Sequence, residues 1–94
     1  MDVVWTKWAA ADLHQVRRHI RSQNPSAAER TGERIESATM QIARHPDIGR
    51  KGEVSGTREL VIPGLPYIVV YRVSGEAVQI LRVFHDRQEW PPSA

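Results

Sequence analysis

Apolar positions recur with two different periods along this chain, and the change between them outlines the fold. Val3 to Thr6 is short and β-prone and reads as a first strand. From Trp8 onward, Ala9, Leu13, Val16 and Ile20 return at helical spacing, while Asp12, Arg17, Arg18 and Arg21 fall on the other side. This predicts an amphipathic helix from about Trp8 to Ser22. Gln23 to Ser26 is a break. Pro25 suits the opening of a second helix, and Ser26 with Glu29 has the spacing of a capping box. Ala28, Ile35, Ala38 and Ile42 form its apolar stripe, with Glu29, Arg30, Glu33, Arg34 and Glu36 on the polar side. Gly32 sits inside this helix at a cost of about 1 kcal/mol relative to alanine, which suggests close packing against the first helix. His45-Pro46 ends it, because a residue before proline avoids the helical region.

Beyond the charged, glycine-rich loop Asp47–Gly56 the period becomes two. Thr57 to Ile62 reads as a strand, Pro63 to Pro66 as a turn, and Tyr67 to Val73 as a β-branched and aromatic strand. Ser74-Gly75-Glu76 reads as a hairpin turn, Val78 to Phe84 as a last strand, and His85 to Ala94 as a polar tail. The expected fold class is therefore α+β. Its order is β-α-α-β-β-β, with a helical hairpin on one face of a small antiparallel sheet in a single domain, residues 1–94. The other face is left to solvent, a ligand or a partner chain.

Strand parity then places the charged residues. With Val73 opposite Ala77, Arg72 and Arg82 share a face with Ile68, Val70, Val78 and Ile80. The opposite face carries Tyr67, Val69, Tyr71, Val73, Leu81 and Val83. A slip of one residue would undo the assignment. Arg58, Arg72 and Arg82, each interrupting an apolar strand, either bind a partner or lie at the sheet margin, paired with Glu59 and Glu89.

Composition narrows the classes. No apolar run approaches the ~20 residues of a spanning helix, so no membrane contact is expected. MDVVWTKW lacks the basic start and apolar stretch of a signal peptide, which points to the cytoplasm. Cysteine is absent, which excludes disulfides, thiolate metal sites and a cysteine nucleophile. Of 13 basic residues only Lys7 and Lys51 are lysine; arginine suits phosphates and carboxylates, although a GC-rich genome also favours it. A net charge of +2 is too small to indicate nucleic-acid binding by itself.

The candidate chemistry lies at the end of the last strand, in Arg82-Val83-Phe84-His85-Asp86-Arg87. Histidine is the side chain that titrates nearest neutral pH, and arginines beside it could stabilise a phosphorane-like transition state. Cleavage of RNA by its own 2′-hydroxyl would use such a set; alternatively His85 bonds a backbone group and orders the tail. His14, His19 and His45 read as solvent-facing or helix-end residues. Without HExxH, a phosphate loop or a carboxylate cluster, no metal and no nucleotide cofactor is expected. Trp5 and Trp8 are expected to lock the first strand to the first helix. Trp90 either folds back onto the domain or contacts a partner.

Taken in order, several segments carry a family likeness. They are Ala11-Asp12-Leu13, Ile42-Ala43-Arg44-His45-Pro46-Asp47-Ile48-Gly49, Gly56-Thr57-Arg58-Glu59-Leu60, Tyr67-Ile68-Val69-Val70-Tyr71-Arg72-Val73 and Val78-Gln79-Ile80-Leu81-Arg82-Val83-Phe84-His85, followed by Arg87 and Trp90-Pro91. The chain resembles the RelE/ParE superfamily of bacterial toxins, nearer its ParE side, over about residues 3–91. The resemblance implies the toxin of a type II toxin–antitoxin module, neutralised by a cognate antitoxin that also makes most of the contacts to operator DNA. It implies one of two activities. RelE-like members cleave mRNA on the ribosome; ParE-like members inhibit DNA gyrase. A third reading is a member that has lost toxicity. The nuclease branch carries an arginine early in the strand that here reads Tyr67-Ile68-Val69, and this chain has Ile68 there. On the nuclease reading His85 is the acid or base, with Arg58, Arg82 or Arg87 holding phosphate charge. On either reading Arg58, Arg72, Arg82 and Trp90 are the contacts to antitoxin or target. The ParE-like activity is the expected one.

Overall fold

A computed structural model describes residues 1–92. Its elements are β1 (Asp2–Trp5), α1 (Lys7–Arg21), α2 (Pro25–Arg44), β2 (Arg50–Lys51), β3 (Arg58–Val61), β4 (Tyr67–Ser74) and β5 (Ala77–His85). The strands form one sheet in the order β1-β5-β4-β3-β2. The α+β class and the helical hairpin are as expected. Two details differ. The sheet is mixed, because β1 joins β5 in parallel while the other neighbours are antiparallel. The extra strand β2 comes from the expected loop; its two residues add to the start of β3.

Each helix begins at a polar side chain that accepts an otherwise orphaned amide. Thr6 Oγ1 accepts from Ala9 N at 3.1 Å and opens α1. Asn24 Oδ1 accepts from Ala27 N at 3.1 Å and opens α2. The Ser26–Glu29 capping box is therefore not the cap; Pro25, as the first helical residue, assigns that place to the residue before it. Gly32 does mark close packing. A Cβ there would stand 2.3 Å from Arg17 Nε, whose guanidinium crosses α2 to pair with Glu36.

The core lies between hairpin and sheet. Leu13 and Val16 of α1 and Ile35 and Ile42 of α2 meet Val69, Tyr71, Val78 and Ile80. The other face carries a smaller cluster of Ile68, Val70 and Phe84, over which Leu81 and Trp90 pack. The β4–β5 register explains where the expected faces fail. The hairpin loop is only Gly75-Glu76, with Gly75 at φ 61°, so Val73 pairs with Val78 and Ser74 with Ala77. Arg72 stands opposite Gln79, and Val78 and Ile80 turn to the helices rather than away from them. A bulge then places Val70 opposite Arg82 and Ile68 opposite Phe84. That second shift restores parity, so Arg82 keeps the expected face while Leu81 joins the cluster beneath Trp90. Trp5 packs on the core as expected. Trp8 does not; it is 58% exposed, with Lys7 Nζ 5.0 Å from its ring centroid.

β1 pairs with β5 only as far as Trp5 and Ile80, which leaves the rest of that edge of β5 without a strand. Side chains complete it. Thr6 N donates to Ile80 O at 3.0 Å, and the Thr6 hydroxyl reaches Ile80 O and Leu81 O at 2.9 and 3.0 Å. Six residues on, Asp12 Oδ2 accepts from Val83 N at 2.9 Å. The same carboxylate binds Arg82 with both oxygens, at 2.7 and 3.0 Å. This bond holds the Arg82 guanidinium proton more firmly than usual.

At the other end of α2, Tyr71 fastens the loop that leads into β2. Its hydroxyl donates to Pro46 O at 2.7 Å and accepts from Gly49 N at 2.9 Å. Burial pushes the phenols of Tyr71 and Tyr67 above their ordinary 10.0; the Gly49 amide and Arg58 partly offset this for Tyr71.

Two outcomes follow for stability. Asp12→Ala leaves Val83 N and the Arg82 guanidinium without their acceptor and should cost about 2 kcal/mol, measured as a lower urea midpoint at unchanged slope. Tyr71→Phe strands the Pro46 carbonyl and the Gly49 amide and should cost about 2 kcal/mol at neutral pH. A group whose pKa rises on folding contributes stability that is whole below its unfolded value, here 10.0, and lost as pH climbs towards the folded one. Denaturation series above pH 10 should therefore decline less steeply for Tyr71→Phe than for wild type.

Candidate functional site

The completed edge of β5 and the tail that leaves it form the candidate site. His85 is the last residue of β5 and pairs with Tyr67. Their rings meet edge-on, 5.4 Å between centroids at 82°. His85 N donates to Gln88 Oε1 at 2.7 Å, and Gln88 N donates to His85 O at 2.9 Å, which closes a turn. Arg87 N donates to His85 Nδ1 at 3.1 Å. That bond requires an unprotonated Nδ1 and leaves Nε2 to carry the ring proton. Asp86 Oδ1, 3.1 Å from the same nitrogen, pairs with it only in the imidazolium form. A groove of about 260 Å³ runs beside His85 and is lined also by Asp12, Gln15, His19, Tyr67 and Gln88. Burial pushes the Tyr67 phenol above its ordinary 10.0.

The candidate arginines are not gathered round this histidine. Arg82 is bound to Asp12, with its Cζ 5.7 Å from the Trp90 ring centroid. Arg58 pairs in register with Tyr71, on the helix side of the sheet, and donates to Gly49 O at 2.8 Å. Arg72 lies on the opposite face, where its Nε donates to Gln79 Oε1 at 3.0 Å. Arg87 has no side-chain partner among the described residues. Glu59, a suggested partner of these arginines, is buried and accepts instead from Arg50 and from Glu53 N, both at 3.0 Å.

Trp90 folds back onto the helix-free face and stacks on Phe84 at 5.7 Å and 26°. Its Nε1 is buried without a hydrogen-bond partner among the described residues. Ile68, at the position where the nuclease branch has arginine, is buried in the same cluster. Asp12 is the site residue that sequence reasoning passed over as one of several polar positions. The signal was present: it is the sole acid on a helix that otherwise carries Lys7, Arg17, Arg18 and Arg21. Among the described residues no group of three or more acids and histidines is placed to hold a metal ion. No helix there is long and apolar enough to cross a membrane.

Comparison with known proteins agrees with this architecture. The model of the ParE toxin of the type II toxin–antitoxin system parDE matches residues 3–90. Y4kP of Sinorhizobium fredii is 41% identical over 87 residues, covering 93% of this chain and 90% of that protein. Toxin RelE2 of Caulobacter vibrioides is 36% identical over 83 residues, covering 88% of this chain and 92% of its own. A solved chain of the chromosomal ParDE toxin–antitoxin system from P. aeruginosa superimposes with a TM-score of 0.82 at 31% identity, covering 90% of this chain and 95% of that one. The chain belongs to the ParE toxin family of type II toxin–antitoxin systems, within the RelE/ParE superfamily.

Proposed function

We propose that this toxin arrests growth by binding its target rather than by cleaving RNA, that the target is DNA gyrase, and that a cognate antitoxin neutralises it in the cytoplasm. Operator DNA is reached only through that antitoxin. The relatives carry both ParE and RelE names, so the choice of activity rests on the site. One observation carries it: the Arg82 guanidinium is already bound by both oxygens of Asp12, and Ile68 fills the other cationic position. A phosphoryl-transfer site needs free donors where negative charge develops. Of the three arginines proposed to serve His85, Arg82 is taken by Asp12 and Arg58 by the loop carbonyl of Gly49, which leaves only Arg87. Arg72 and Trp90 are the proposed target contacts, and Arg58 and Arg82 act by holding the loop and the edge beside them.

The nuclease reading retains one supporting feature: two residues from His85, the Arg87 guanidinium has no side-chain partner among the described residues. The two activities predict opposite results for His85→Ala. On the binding reading the variant still arrests growth and still blocks gyrase supercoiling, and loses only about 1 kcal/mol from the missing Tyr67 contact. On the nuclease reading, general acid–base help of about 10²–10⁴ disappears. Primer extension on a translated message decides: codon-positioned cuts by wild type that vanish in His85→Ala would replace gyrase with the ribosome. Normal growth at verified soluble expression of wild type would leave only an inactive family member.

Trp90 gives a second test. Removing residues 86–94 uncovers Phe84 and should lower the melting temperature by about 5–10 °C, while growth arrest is lost altogether. Toxicity that survives in the truncated, folded chain would assign Trp90 to packing alone.

A further inference from the structure

The polar groups at the end of β5 largely answer one another, and those left over share one chemistry. In the groove of about 260 Å³ between α1 and β5, the acceptors are engaged. Both oxygens of Asp12 hold Arg82, and one of them also takes Val83 N. Gln88 Oε1 accepts from His85 N, and His85 Nδ1 accepts from Arg87 N. What remains on Gln88 and His85 is donors: the amide Nε2 of the first and the ring Nε2–H of the second.

A third donor is set deeper. Tyr67 lines the same groove, is only 7% exposed and has its ring packed into the core. The Tyr71 hydroxyl has two partners; the Tyr67 hydroxyl has none among the described residues, and burial is the sole cause of its raised pKa. A hydroxyl kept at that depth without a partner is a cost to folding that an acceptor from outside the chain would relieve. Val16 and Val83 supply apolar walls beside these donors. The one acid of the groove, Asp12, is neutralised by Arg82 and does not repel a second anion. Among the described residues no arginine lines the groove. Neutral donors between apolar walls suit a carboxylate on a carbon stem better than a phosphodiester with a sugar on either side.

We propose that this groove binds a carboxylate, whose oxygens accept from the Tyr67 hydroxyl, His85 Nε2 and the Gln88 amide while its stem lies against Val16 and Val83. Two sources offer that group: an acidic side chain of the toxin's target, or a small free acid. The first source rests on the gyrase reading above; the carboxylate site itself does not.

The test is an NMR titration of the purified toxin with sodium acetate at fixed neutral pH and ionic strength. The ring resonances of His85 and Tyr67 should move together and saturate. Tyr67→Phe removes only the unpartnered hydroxyl, so its melting temperature should match wild type while acetate binds about tenfold more weakly, read from His85. His14→Leu, an exposed histidine of α1 outside the groove, should stay within about twofold. Absence of a saturating shift in wild type, or wild-type affinity in Tyr67→Phe, would overturn the proposal. So would a lowered melting temperature in Tyr67→Phe, which would show the hydroxyl already partnered within the fold. Tighter binding of inorganic phosphate than of acetate would also overturn it and return the groove to the RNA reading. A supercoiling assay titrated with toxin then tells the sources apart. A midpoint raised about tenfold in Tyr67→Phe identifies an acidic side chain of gyrase, and an unchanged midpoint identifies a free acid. A wild-type toxin that binds acetate but leaves supercoiling untouched would overturn the gyrase reading and leave the carboxylate site standing.

Discussion

The edge of β5 past Ile80 governs much of the structure. A strand that loses its neighbour there must find partners for its amides and carbonyls or surrender them to water. Thr6 and Asp12 supply those partners. Both belong to the start of α1, so satisfying the edge also fixes where the first helix lies on the sheet. Leu13 and Val16 then reach the core, and α2 follows through a short connection. Arg82 is drawn into the same arrangement, since the carboxylate that accepts Val83 N has a second oxygen for its guanidinium. A backbone requirement has thus tied down one of the arginines that the sequence sets near His85.

The elements were legible where a period is long and uninterrupted. The stripe from Ala9 to Ile20 and the run from Tyr67 to Val73 each became the element their spacing implies. The register was not legible, because it depends on a turn one residue shorter than Ser74-Gly75-Glu76 and on a bulge near Leu81. Neither leaves a hydrophobic signature: Val78, Ile80 and Leu81 are apolar whichever way they point. β2 escaped notice for a related reason. Arg50 and Lys51 are both exposed, and two charged residues carry no period at all. Their charge suits them to an edge that must not recruit another sheet.

The site was legible in its residue types and not in its partnerships. Arg82 and Trp90 do meet beside the end of β5, but His85 lies against Tyr67 instead of joining them. Arg58 and Arg72 looked equivalent to Arg82 as cations within apolar strands, yet one ties down a loop carbonyl and the other pairs with a cross-strand glutamine. What separates the three is an acceptor distant in sequence, such as Asp12, 70 residues from Arg82. Periodicity reports the face a side chain occupies; it says nothing about a partner brought up by the packing of another element.

The contact between Gly32 and Arg17 bears on how this fold can drift. The absence of a side chain at 32 lets the Arg17 guanidinium lie across α2 to Glu36, where any Cβ would overlap it. Because the overlapping atoms are the far end of a flexible side chain, a residue larger than glycine at 32 is accommodated by swinging the guanidinium out to solvent. What is given up is the bridge from Arg17 to Glu36, a surface ion pair worth at most about 1 kcal/mol. Drift at 32 therefore acts first on a strap between the two helices and leaves the apolar seam beneath it untouched.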